Sequence, residues 1–395
     1  MRGTGSQQWP SPLSVETRHL LDAVRVGLDL DPSGSQQPVS LGVVRRAARQ
    51  GVAAPVLAAA RVLGSADEET AGVVADLARY ETLGGLRAVV TTRQLVELFD
   101  RAGIPVLVVK GVALGAQTGR EPAERHGVDV DLLVRPADLL AADQVLATAG
   151  YRANARTCPP LGDDQRSRFL RWSAYERSYS RQGTHADLHW RLTPGHLPGL
   201  SADAVTGDAA TVDVGGTTVA TLDPDAALAH TALHGAKDYW LSLRSTVDAH
   251  LLVIVAGASW ERARELAADS PAIAEARFGV EVLCGGTEPV AGRASRPRRP
   301  VAPPMPERRW LDGIEGRAEL PVGGGPPPDG WIRYLRRRCS LTPGVGSAAA
   351  IAANLLITPD SLARSQARPS LWWADALAQR PRRILTRSRR RGERA

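Results

Sequence analysis

At 395 residues the chain is long enough for two or three domains around a sizeable core, and its 43% apolar content is that of an ordinary globular protein. The three scattered cysteines, Cys158, Cys284 and Cys339, fit neither a disulfide framework nor a zinc site. With no apolar run after MRGTGSQQWPSP, and with apolar stretches at 251–256 and 348–357 too short to span a bilayer, the sequence reads as a cytoplasmic protein without a membrane span.

The net charge of +7 sits at one end. Residues 380–395 carry eight Arg and one Glu, 8 − 1 = +7, so the body is close to neutral. That tail reads as a solvated end, and nucleic acid is not an expected partner.

In chain order, residues 1–102 read as a helical N-terminal region, with helical apolar spacing over 43–63 and 68–102. The texture changes at Gly103. Ile104–Val109 is a short β-branched run expected as a buried strand, ending in Lys110-Gly111. Val128–Val134, VDVDLLV, is a second strand, and Pro136–Gly150 a helix closed by a glycine cap. His185–Leu192 and Thr217–Leu222 read as further strands, and a long helix is expected from Pro224 to about Val255. Alternating strands and helices over 103–256 imply an α/β core. A helical extension over 257–285, a Pro/Gly/Arg-rich linker over 286–330 and a C-terminal segment, 331–395, complete the division.

Four groups of residues carry chemistry. Side chains alternate along a strand, so Asp129 and Asp131 share a face and Val128 and Val130 the other. Adjacent carboxylates repel unless water covers them or a cation lies between them, and Mg²⁺ suits one or two carboxylates with phosphate oxygens. In THADLHWRL, His185, Asp187, His189 and Arg191 form a polar face backed by Ala186, Leu188 and Trp190, which suits a third carboxylate from a neighbouring strand. At Lys110-Gly111, the glycine lets backbone approach a ligand and the lysine suits a phosphate. On the helix after Pro224, His230, His234, Lys237, Leu241, Arg244 and Asp248 form one stripe at spacings of three and four, too polar for core. HTALH in this helix lacks the glutamate of a zinc-protease helix. Each group alone also fits an ordinary solvated strand edge, turn or helix face.

Composition points the same way. Of 49 basic residues only Lys110 and Lys237 are lysine, and both fall inside these groups. A lysine is a compact point charge that a guanidinium does not replace at a shaped site.

Together these segments resemble the uncharacterised bacterial nucleotidyltransferase family of the polymerase-β superfamily, often found beside lasso-peptide or polysaccharide biosynthesis genes. The resemblance rests on VVKGVALGAQ at 108–117, Arg125 before DVDLLVRP at 129–136, GY at 150–151, DLHWRL at 187–192 and LHGAKDYWLSLRSTVDAHLL at 233–252. It covers about residues 95–255, with a looser match at 380–385. It implies an α+β core with a mixed sheet, flanked by helical N- and C-terminal regions. It also implies transfer of a nucleoside monophosphate from an NTP, ATP by default, to a small-molecule or peptide acceptor, for a natural-product pathway. Asp129, Asp131 and Asp187 would be catalytic and hold Mg²⁺ or Mn²⁺. Lys110, Gly111, Arg125 and Lys237 would meet the nucleotide, with His189, His234, Arg244 and Asp248 around them. Better-known superfamily members place Gly-Ser or Gly-Gly where this chain has Lys-Gly, and Asp129 lies 18 residues after Gly111. A non-catalytic nucleotide-binding or partner protein on the same fold is the alternative. Three adjacent carboxylates weigh against it.

Overall fold

The computed structural model describes residues 13–30, 37–153, 161–162, 164–285, 305–316, 331–342, 344–357 and 373. Four helices open the chain: α1 (Val15–Gly27), α2 (Leu41–Gln50), α3 (Ala53–Leu63) and α4 (Glu68–Arg101). Side-chain oxygens of Ser14, Ser40 and Asp67 accept from the first free amides of α1, α2 and α4. The stretch 43–63 is two helices, because Gly51 turns left-handed after α2.

Then follow β1 (Leu107–Val108), α5 (Gly111–Gln117), β2 (Val130–Leu133), α6 (Leu139–Thr148), β3 (Arg152–Ala153), α7 (Gln165–Ser173), β4 (Glu176–Arg181) and β5 (Thr184–His189). The strands form a mixed sheet in the order β1-β2-β5-β4-β3, in which β2 and β5 run parallel and the other neighbours antiparallel. This is the expected α/β core. A short helix α8 (Ala202–Gly207) leads to the hairpin β6 (Ala210–Asp213) and β7 (Thr218–Thr221), which is tied to the sheet where Thr221 Oγ1 donates to Val108 O at 2.6 Å.

Alternation decides which way the sheet faces. Val130, Leu132, Ala186 and Leu188 pack in one apolar cluster with Leu95 and Phe99 of α4 and Leu139 and Ala142 of α6. Leu133, in phase with Asp131, belongs to the other cluster, with the helices that follow the hairpin. The carboxylate face of the sheet is therefore the one roofed by the helices that follow the hairpin, while α4 and α6 cover the other.

Those helices are α9 (Pro224–Lys237), α10 (Arg244–Ile254), α11 (Trp260–Leu266), α12 (Pro271–Leu283), α13 (Met305–Ile314), α14 (Trp331–Leu341) and α15 (Val345–Leu356). The single helix expected over 224–255 is thus two. Tyr239 and Trp240 adopt positive φ, 59° and 55°, and turn the chain between them. A left-handed non-glycine residue is costly, so something must hold it. Trp240 is 1% exposed and its indole donates to Glu275 Oε2 at 2.8 Å. Glu275, fully buried, also accepts both terminal nitrogens of Arg337, each at 2.6 Å, and Arg309 Nη1 at 3.2 Å. Burial of the indole and this network from α12, α13 and α14 override the helical spacing. Within the expected linker, α13 is a helix whose fully buried Trp310 donates to Thr246 Oγ1 at 3.0 Å. The rest of that linker and the Arg-rich tail lie outside the described residues.

The turn leaves no room above Gly235, where a Cβ would lie 2.4 Å from the Trp240 ring. Gly235→Ala is expected to destabilise the fold by about 1–3 kcal/mol by overpacking. At exposed Gly72 of α4, where a Cβ meets nothing within 4 Å, the same change should stabilise by up to about 1 kcal/mol. Urea unfolding of both variants separates the two signs.

Candidate active site

The floor of the site is made by β2 and β5. Their register sets Asp131 directly opposite Asp187, and Leu133 opposite His189. Asp129 stands one residue before β2, half-buried. Val128, expected to share the apolar face with Val130, is instead 84% exposed. The chain before β2 is a loop, held where His126 Nε2 meets Glu81 Oε2 of α4 at 3.0 Å, so strand alternation does not reach Val128.

Asp131 Oδ1 accepts from Lys110 Nζ at 2.9 Å and meets His189 Nε2 at 2.9 Å. Burial pushes its carboxyl up, but Lys110 and His189 more than offset this and hold it well below the usual carboxylate range. Asp129 goes the other way. Burial, then the charges of Asp131 and Asp187, raise its carboxyl, with Lys110 opposing. Lys110 precedes α5, whose first residue, Gly111, has φ +58°, a conformation that any side chain would strain.

These residues fit a divalent cation. Ligand atoms of Asp131, Asp187 and His189 lie within 4.8 Å of one another. The raised Asp129 carboxyl beside them marks negative charge that Lys110 alone does not balance. Asp129 is outside that tight group, and His189, expected in the surroundings, is inside it.

Facing this floor, α9, the turn and α10 form the opposite wall of an open cleft. His230, His234, Lys237, Leu241, Arg244 and Asp248 all line it, although the helix that was to align them is broken. Their partner stripe, Ala229, Leu233, Ala236, Trp240, Leu243, Val247 and Leu251, is core. His230 and His234 both titrate well below an ordinary histidine. Burial is the first cause for each, followed by Lys110 and His189 for His230 and by Lys237 and Lys110 for His234.

The sequence model of a family of uncharacterised nucleotidyltransferases matches residues 42–276, more than half of the chain. The chain belongs to this nucleotidyltransferase family. Among solved structures, the chain is similar to the solution structure of the antibiotic-resistance factor ANT(2'')-Ia, at 15% identity, over 46% of this chain and 89% of that one, with a TM-score of 0.34. No curated protein matches.

In this nucleotidyltransferase, Arg125, expected at a triphosphate, lines the cleft and is fastened to Asp248. Its Nε and Nη2 donate to Asp248 at 2.9–3.1 Å and its Nη1 to His126 O at 3.2 Å. Asp248 also accepts Arg120 Nη2 at 2.7 Å. Burial pushes the Asp248 carboxyl up, and Arg125 and Arg120 more than offset this, holding it at about 2. Arg244 donates to Gly51 O at 3.1 Å, and burial lowers its affinity for its proton. Gly111 and Lys237 line the cleft, and Lys237 Nζ lies 5.6 Å above the Tyr175 ring. Sequence reasoning missed Arg120, Tyr175 and Glu176. Arg120 finds its partner 128 residues away, and no local pattern signals that. For Tyr175 and Glu176 the signal was a strand start opposite His189.

Proposed function

We propose that this nucleotidyltransferase moves a nucleoside monophosphate from an NTP, ATP in the first instance, to a hydroxyl or phosphate of a small-molecule or peptide acceptor, releasing pyrophosphate. One observation carries the reading: Asp131 and Asp187 stand in register on adjacent strands, beside Lys110 and Asp129, on the floor of a cleft walled by cationic side chains.

Asp129, Asp131 and Asp187 hold Mg²⁺ or Mn²⁺, with His189 alongside. A bound divalent ion supplies neutralisation of charge on the transferring phosphoryl group. Lys110 exchanges Asp131 for triphosphate oxygens, and Lys237 meets them from the other wall. Asp187 takes the acceptor's proton. Arg125, with its donors on Asp248, acts as a positioning residue for the loop before Asp129. Positioning and charge supply most of the acceleration in such a transfer. The N-terminal helices, through α4, back the sheet.

The test is calorimetry of ATP into the wild-type chain with Mg²⁺, with Mn²⁺ and with EDTA, alongside assays of pyrophosphate release. Binding in the presence of either ion, weakened at least about tenfold by EDTA, is expected. Absence of binding by any NTP with either ion would remove the reading.

A further inference from the structure

The tight group of Asp131, Asp187 and His189 mixes carboxylates with an imidazole, and the imidazole bears on which ion the group suits. Mg²⁺ takes oxygen ligands, whereas first-row transition ions accept imidazole nitrogen as well. Asp129 stands outside the group, so a nitrogen takes the place that a third carboxylate oxygen would hold.

His189 is 1% exposed, and its Nε2 lies 2.9 Å from Asp131 Oδ1. Two ligands at a right angle on an octahedral ion, with bonds of about 2.1 Å, stand about 3.0 Å apart. At a tetrahedral angle the same bonds put them about 3.4 Å apart. The spacing suits an octahedral ion better than Zn²⁺. A hydrogen bond has the same length, so the other ring nitrogen distinguishes a ligand from a donor. Nδ1 is buried and makes no hydrogen bond among the described residues, and Glu176 Oε2 is 3.4 Å away. Register puts that carboxylate there, since Glu176 of β4 stands directly opposite His189. The Glu176 side chain is about one-third exposed, and a shift of about half an ångström brings it to hydrogen-bond distance. A carboxylate on the Nδ1 side draws the proton of a neutral imidazole to Nδ1. Nε2 then turns a lone pair toward Asp131, an arrangement that is repulsive unless a cation lies between them. Any proton on Nε2 leaves to water as the ion enters.

We propose that His189 Nε2 is a direct ligand, with Asp131 and Asp187, of an octahedral first-row ion such as Mn²⁺, held in preference to Mg²⁺, and that Glu176 is the positioning residue that fixes the ring for it. The proposal rests on the metal-dependent reading above and deepens it: Asp129 is left to the ion that arrives with the nucleotide.

Mn²⁺ is the probe, titrated into the full chain with and without ATP. EPR of the free ion gives its affinity, pulsed EPR reads nitrogen coupled to the bound ion, and Mg²⁺ is measured by competition. Wild type should hold Mn²⁺ at least about tenfold more tightly than Mg²⁺ and show a coupled imidazole nitrogen. His189→Gln should lose that coupling and bring the two ions within about threefold of each other. Glu176→Leu should weaken Mn²⁺ at least about tenfold. Glu176→Gln, which removes the charge but keeps an oxygen for the Nδ1 proton, should recover most of that loss. Circular dichroism establishes that the variants fold, and the Glu176 variants keep the test open if His189→Gln does not. Bound Mn²⁺ without coupled nitrogen in wild type would leave His189 a donor to Asp131 and overturns the proposal. So does Mg²⁺ held as tightly as Mn²⁺, no Mn²⁺ held at all, or Glu176→Leu unchanged. Glu176→Gln as weak as Glu176→Leu overturns the positioning role, since charge alone would then act. Calorimetry of ATP with each ion is read separately: ATP binding that survives any of these results leaves the transferase reading standing, and its absence with every ion removes that reading itself.

Discussion

Asp131→Asn is expected to lose at least about 100-fold in metal-dependent turnover, because even the outer partners of metal ligands are commonly worth 10–100-fold. The substitution keeps the side chain's volume and removes its charge. Asp131 is the carboxylate on which the site converges: it faces Asp187 across the parallel pair and joins Lys110 and His189 on one oxygen. A neutral amide holds a divalent cation poorly, so Mg²⁺–ATP affinity should fall together with turnover. Asp187→Asn should behave differently. If Asp187 takes the acceptor's proton, its variant loses turnover while Mg²⁺–ATP still binds to Asp129 and Asp131. Stability should fall as well, since the buried Asp131 carboxylate is shared by Lys110 and His189, so circular dichroism first establishes that Asp131→Asn folds. Calorimetry and pyrophosphate release on the two variants read these outcomes. Asp131→Asn turning over within about fivefold of wild type would place the chemistry elsewhere.

What could be read from the chain alone follows the range of the forces involved. Alternation in VDVDLLV and THADLHWRL is local, so the facing of Asp131 and Asp187 and the apolar back of Leu132 and Leu188 were legible. Their pairing in register was not, because it depends on a parallel connection through α6, β3, α7 and β4. The break between α9 and α10 was hidden for a similar reason. Residues 230–251 keep helical spacing through it, and the cause of the break, Glu275 under Trp240 with Arg337 and Arg309, comes from three helices further along the chain. The stripe read as one helical face was still useful. Its six residues meet the same cleft, since two short helices joined by a tight turn can present the same side. The lysine count carried information of another kind. A chain that otherwise uses arginine retains its two lysines on this cleft, Lys110 against Asp131 and Lys237 over Tyr175. For Arg125 the motif shows the neighbourhood, the lining of the cleft, and not the partner. Asp248 lies 123 residues away, and only the folded chain brings it to the guanidinium.

Asp248→Ala should be the most destabilising single change at the site, by about 3–5 kcal/mol, the usual penalty for removing one partner of a buried ion pair. The loss is large because the aspartate answers more than one cation. Arg125 meets it through two nitrogens and Arg120 through a third, and both guanidiniums are nearly buried with it. Without the carboxylate these charges and neighbouring Arg244 repel one another away from water. The pH dependence follows from the depressed carboxyl. Its folded value of about 2 lies below the ordinary 3.8, so its contribution is fully present above about pH 4 and is lost as pH falls through 2. A carboxyl held at about 2 instead of 3.8 is worth about 2 kcal/mol of folding free energy at neutral pH. Urea unfolding of wild type and variant at pH 7, 4 and 3 should therefore show the gap between them narrowing only at the lowest pH. A gap constant down to pH 3 and below would mean that Asp248 contributes through packing and not charge. Function should move with stability here. The arginines fastened by Asp248 hold the loop that delivers Asp129, and Arg125 also donates to His126 O in that loop. A variant rescued to full folding, for instance by low temperature, is still expected to bind Mg²⁺–ATP weakly, because the loop before β2 would no longer be fixed to α10.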